Sequence, residues 1–266
     1  MKKEIRTVDP ERGIVQVTTL DERWYDRVEP DPETGLDRVV WRPSVTWITS
    51  YYPKGRGFEI WLKRNGDDAD VIAQLAADRG YKVHRAIAQL NGGESVRMED
   101  RFLNPTTGKE EELTPDEYAA VLAYVEWWNA EGKDRYRILG FEYTIWPDKD
   151  MLAETYNLPA DAFDYAGTID VKMLRLSDGA VGVVDMKTSQ EIWPSHEIQV
   201  SAYRVAEGAE WGAILQLNYR KTKTRRYKFT MLDDKFRLFL ATRQIWANET
   251  AGVVPLQRDF PLMTSL

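Results

Sequence analysis

The chain has 266 residues, 36 basic against 43 acidic, a formal net charge of −7, no cysteine and two histidines, His84 and His196. That excludes a disulfide framework, a zinc ribbon, a thiol nucleophile, a cysteine-held iron–sulfur cluster and a zinc site of three or four nitrogens. A metal would rest mainly on oxygen, which favours magnesium, manganese or calcium, and the acidic surface as a whole does not attract nucleic acid. No apolar run approaches the ~18 residues of a membrane span. The opening MKKEIRTVDP has lysines but no apolar stretch behind them, so no secretory signal is read and a cytoplasmic location is expected.

Residues 13–20 and 39–41 are β-prone and are separated by a Pro/Asp/Gly-rich turn region at 29–35. From 44 to 90 the pattern is helical in pieces, with Val71, Leu75, Gly80, Val83, Ile87 and Leu90 at mostly three- and four-residue spacings until Gly92-Gly93 stops the run. Residues 95–113 predict a hairpin turning at 104–108. Thr114-Pro115-Asp116-Glu117 then predicts a capped helix start, and Tyr118, Val121, Leu122, Val125 and Trp128 its buried stripe.

After Gly132 the period becomes two through Tyr136, Ile138, Phe141, Tyr143 and Ile145, with a phase slip near Gly140 that a bulge would explain. Strands are expected at 167–176 and 181–187 around Ser177-Asp178-Gly179, a helix at 196–206, a hairpin at 213–230 and a closing helix at 233–248. The order points to a mixed α/β or α+β domain, 42–266, with residues 1–41 as a β-rich appendage.

The chemistry concentrates in Ala166-Gly-Thr-Ile-Asp170 and Gly182-Val-Val-Asp-Met-Lys-Thr-Ser189. A turn at Asp178-Gly179 lets Asp170 and Asp185 meet across two strands, and Lys187, two residues past Asp185, points to the same face. Phosphodiester hydrolysis needs such a set. Carboxylates hold hard cations, the Met186 carbonyl offers another oxygen, and a lysine orients water or neutralises charge on the phosphate. The plainer alternative is an exposed Asp–Lys pair, worth ~0–1 kcal/mol. The apolar Val181, Val183 and Val184 weigh against it by marking a core strand with charges at its end. Gln199 and Tyr203 share a helix face.

The order Gly80-x-x-x-His84, Glu142, Gly167-x-x-Asp170, Asp185-x-Lys187, Gln199-x-x-x-Tyr203, with Pro43-Ser-Val-Thr46 ahead of it, resembles the RecB-like branch of the PD-(D/E)XK nuclease superfamily. The closest likeness is to stand-alone phage-type and mitochondrial genome-maintenance exonucleases. The resemblance implies a restriction-endonuclease-like core, a central mixed sheet flanked by helices. It implies Mg²⁺ or Mn²⁺ on Asp170 and Asp185 with Met186 and accessory His84, Lys187 as the catalytic lysine, Glu142 as a supporting or metal-binding carboxylate, and Gln199 with Tyr203 supporting the site or the substrate phosphate. The implied substrate is DNA, as single strands or ends, and the implied setting is recombination or repair, with room for a recombination or replication partner protein. Two features depart from the family. No P-loop or helicase motif is present, and the four cysteines of iron–sulfur relatives are missing.

The segment 219–228 has six cations in ten residues and no acid. Arg220, Lys221, Lys223, Arg225 and Arg226 are its candidates for phosphate contact, against the alternative of an edge hairpin guarded by lysines. The competing reading of the whole chain is a catalytically silent nucleic-acid-binding or assembly module on the same fold.

Overall fold

The computed structural model describes residues 4–19, 21–217, 226–252 and 254–256. In chain order the elements are β1 (Glu4–Asp9), β2 (Ile14–Thr18), β3 (Arg23–Pro30), β4 (Asp37–Pro43), α1 (Val45–Ser50), α2 (Arg56–Asn65), α3 (Ala69–Asn91), β5 (Arg101–Asn104), β6 (Lys109–Glu112) and α4 (Pro115–Trp127). A π-helical turn, Trp128–Gly132, leads to α5 (Lys133–Arg135), β7 (Tyr136–Ile145), α6 (Lys149–Tyr156), β8 (Gly167–Arg175), β9 (Val181–Lys187), α7 (Pro194–Ala206), β10 (Trp211–Leu217), β11 (Tyr227–Met231) and α8 (Phe236–Thr250). The fold is mixed α+β.

Two compact units are present. The first draws on Met1–Tyr52, Thr144–Thr168 and Lys235–Leu266, the second on Pro53–Tyr143 and Ile169–Asp234. In the first unit β1 to β4 form an antiparallel sheet in sequence order. Trp24, Trp47 and Trp246 meet edge to face, with centroids 5.1–6.0 Å apart. Such contacts suit the ring quadrupole and bring segments distant in sequence into one core. Ser44 caps α1 by accepting the Trp47 N–H at 3.0 Å. The strands β1 and β3 were not expected from the sequence. β3 mixes Arg, Asp and Glu with Trp24 and Tyr25, so its alternation is hidden while those two rings are fully buried.

The second unit is built on a five-stranded sheet in the order β11-β10-β9-β8-β7. β10 runs parallel to β9 and is reached through α7, whereas β8–β9 and β10–β11 are antiparallel. One face of the sheet, with Val171, Met173, Val184, Met186, Ala213 and Leu215, packs into a core shared with Val83 and Ile87 of α3 and with Val121, Tyr124 and Trp127 of α4. α7 lies on the opposite face, where the bare Gly212 of β10 lets Val200 approach; an added Cβ would come within 2.7 Å of Val200 Cγ1. Gly182 makes room for the Trp211 ring, only 2.0 Å from where a Cβ would stand.

The capping box of α4 forms as expected, Thr114 Oγ1 accepting from Glu117 N and Thr114 N donating to Glu117 Oε2. Its buried stripe is different. Ala120, Val121, Ala123, Tyr124 and Trp127 are inside, whereas Leu122 is 37% exposed. α4 is apolar on nearly every side, so its sequence leaves the choice between adjacent faces to tertiary packing. In α3 only the second half of the expected stripe is covered. Val83 and Ile87 are fully buried, but Val71 and Leu75 are 59% and 62% exposed. The phase slip of β7 falls at Glu142, whose φ of +44° is rare for a residue with a Cβ. No helix among the described residues is long and apolar enough to cross a membrane.

Candidate active site

The last registered pair of the β8–β9 ladder is Val171 with Val184. One step beyond it stand Asp170 and Asp185, where the strands stop exchanging backbone bonds. There the Asp170 carboxylate replaces the ladder, its Oδ2 accepting the Met186 N–H at 2.7 Å. Because side chains alternate along β9, Val184 and Met186 enter the apolar core while Asp185 and Lys187 face the α7 side. Asp185 is only 3% exposed, and Lys187 Nζ lies 2.7 Å from its Oδ2. The Lys187 ammonium is thus set directly against a buried carboxylate oxygen, Asp185 Oδ2.

His84 arrives from α3 and bridges the two strands. Its Nε2 is 3.1 Å from the Met186 carbonyl and its Nδ1 3.4 Å from Asp170 Oδ1. Gly80, one turn earlier, lies beside Thr188, but an added Cβ would stand at an ordinary 3.8 Å from its Oγ1. On α7, Gln199 Nε2 donates to the Tyr203 hydroxyl at 3.0 Å, and both residues are buried. Glu142 accepts from Arg85, the neighbour of His84, at 2.9 Å.

Electrostatics bind the group together. Burial works against a charged His84, yet the Asp170 carboxylate outweighs it and raises the imidazole above its usual value. Asp170 is held below the carboxylate range despite its own burial, by His84, Lys187 and the Met186 N–H. Burial pushes Asp185 up to about 6, with Lys187 opposing and Asp170 reinforcing. Lys187 is raised, since Asp185 and Asp170 overcome its desolvation. Two carboxylates, an ammonium and an imidazole thus stabilise one another in a small volume.

Two further residues shape the site that the sequence reading passed over. Gln216, 2% exposed and in register with Lys187 on β10, donates from Nε2 to the carbonyls of Ser189 (3.3 Å) and Gln190 (3.2 Å). It fixes the loop that follows the lysine, and its signal was a single polar residue in the apolar run Trp211–Leu217. His196 accepts the Trp193 N–H at 3.3 Å on Nδ1, and burial together with Lys187 depresses it to about 3, so it is neutral.

The donors suit a hard divalent ion: two carboxylates and a main-chain carbonyl, with Asp185 Oδ2 buried and contacted by the Lys187 ammonium. Among the described residues, however, no three His, Asp or Glu side chains are gathered as a ready metal-holding group. Arg226 is exposed, whereas Arg220, Lys221, Lys223 and Arg225 lie outside the described residues. No protein-family model matches the chain, and a search of curated proteins finds no match either.

Proposed function

We propose that the protein is a divalent-metal-dependent deoxyribonuclease of the RecB-like PD-(D/E)XK kind, acting as an exonuclease on DNA ends or single strands during recombination or repair. The observation that carries this reading is the lysine set against a buried carboxylate, Lys187 Nζ to Asp185 Oδ2 at 2.7 Å, beside Asp170 and His84 at the place where two strands part. Asp170, Asp185 and the Met186 carbonyl would hold Mg²⁺ or Mn²⁺, with His84 as an accessory ligand. Bound there, the ion supplies polarisation of a phosphoryl oxygen and a lowered pKa for water.

Lys187 stays protonated because both carboxylates face it. Its ammonium is a preformed donor for charge that grows on the phosphate as the P–O bond breaks, an interaction stronger in the transition state than in the ground state. Gln216 holds the backbone just past the lysine, and the Gln199–Tyr203 pair stiffens the helix above it. A recombination or replication protein fits the same setting as a partner.

One observation favours a second reading. His84 spans Asp170 and the Met186 carbonyl while Lys187 sits on Asp185, so the site's oxygens are already engaged by the protein's own side chains, as suits a catalytically silent nucleic-acid-binding module. Incubation with end-labelled single- and double-stranded DNA, with Mg²⁺, Mn²⁺ or a chelator, separates the two. The proposal expects metal-dependent shortening of the DNA that Asp185→Asn abolishes. Binding without cleavage under every metal, or cleavage unaffected by Asp185→Asn, would give the answer to the second reading or to a contaminant.

A further inference from the structure

α2 is a ten-residue helix with no buried residue. A helix this short is marginal in water unless an apolar face is covered. Its seat in the second unit is aromatic. Phe58 and Trp61 stack at 5.6 Å with an interplanar angle of 23°, and Phe58 meets the edge of Trp193 at 6.5 Å. Lys54 Nζ lies 4.4 Å over the Phe58 ring. Phe58, Trp61 and Trp193 are each only partly buried, so the cluster as a whole keeps surface in solvent. Trp193 is also the N-cap residue of α7, six positions after Lys187 and in the loop segment that Gln216 anchors.

Charge is equally uneven there. Residues 54–65 carry Lys54, Arg56, Lys63 and Arg64 against Glu59 alone, in a chain of net charge −7. None of the four cations forms an ion pair among the described residues. An aromatic stack rimmed by unpaired cations complements a flexible polyanion with exposed ring faces. Bases stack on aromatic side chains whatever their sequence, and phosphates pair with the cations. Duplex DNA hides its base faces and gains only the charge term.

We propose that Phe58, Trp61 and Trp193 form a base-stacking platform that binds single-stranded nucleic acid beside the candidate active site, with Lys54, Arg56, Lys63 and Arg64 holding the phosphates. The inference deepens the nuclease reading by locating where an unpaired strand is held, and it rests on that reading only for its purpose. The binding itself is measured without metal.

The test uses the full chain in a chelator with a fluorescein-labelled 20-mer of oligo(dT) and a blunt duplex of equal length. Phe58→Leu and Trp61→Leu keep apolar bulk and remove the stacking faces, and circular dichroism and urea melts confirm the fold. Each should weaken oligo(dT) binding at least about tenfold while duplex binding changes less than about threefold. Unchanged oligo(dT) affinity in both variants would overturn the platform, as would equal losses on both probes or a wild type that does not bind oligo(dT). A wild type that never cuts, yet loses oligo(dT) binding in these variants, would contradict the nuclease proposal and support this one. A wild type that cuts with oligo(dT) binding indifferent to both variants would do the reverse.

Discussion

Asp185 keeps a carboxylate at 3% exposure with a single ammonium, Lys187, against it. Removing that ammonium leaves the buried carboxyl uncompensated, so that it must take up a proton or carry its charge at a cost, and Lys187→Ala should lower stability by about 2 kcal/mol in urea titration, less than a fully buried pair because Lys187 is 20% exposed. A double variant with Asp185→Asn should recover most of the loss, and a cost equal to or above the single variant's would contradict the coupling. The neutral His196 gives a pH signature. Its folded value near 3 lies below the ~6.5 of an unfolded chain, so only the unfolded state takes up the proton as pH falls below about 6.5. The contribution of His196 should therefore lower stability toward acid by up to about 1.4 kcal/mol per pH unit in that window and be flat above it, against the opposite slopes of the raised Asp185 and His84. His196→Asn keeps an acceptor for the Trp193 N–H and cannot titrate, so its unfolding midpoint between pH 5 and 7.5 should fall less, or rise more, toward acid than wild type's. Parallel curves would refute the assignment.

At the scale of elements, two glycines make opposite forecasts. Gly182→Ala drives a Cβ to 2.0 Å from the Trp211 ring and should cost about 1–3 kcal/mol, read as a lowered thermal midpoint. Gly80→Ala, in the motif that precedes His84, meets only Thr188 at 3.8 Å and replaces a mid-helix glycine. It should be neutral or stabilise by up to about 1 kcal/mol, with cleavage retained. Lost activity would show that the glycine serves a substrate rather than the helix. The elements legible in the sequence were those specified locally: the Thr114 capping box, the turn at Asp178-Gly179 between β8 and β9, and the switch to period two at Tyr136. Those decided by tertiary context were not. The stripe of α4 shifted by a residue because several of its faces are apolar, and β1 and β3 hide among charges.

For the whole molecule, the first unit is assembled from three stretches far apart in sequence, an arrangement no local pattern announces. The convergence of Asp170, Asp185 and Lys187 was legible because fifteen residues and one tight turn bring the carboxylates to one strand end. The bridge made by His84 and the anchoring by Gln216 were less so, since each depends on an element packed from elsewhere. The basic run 219–228 bears on binding at this scale. Neutralising Lys221, Lys223 and Arg225 should reduce the slope of log affinity against log salt by roughly two to three, since each phosphate contact contributes about 0.7 to 0.9. An unchanged slope would leave the run to edge protection.

The central claim is that Lys187 acts on the reacting phosphate, and single-turnover cleavage in excess enzyme tests it most directly, with DNA affinity measured separately in Ca²⁺ and the folded fraction checked by circular dichroism. The account predicts that folded Lys187→Ala cuts at least about 10²-fold more slowly than wild type while its DNA affinity changes little. A Lys187→Ala protein that cuts at the wild-type rate would contradict it.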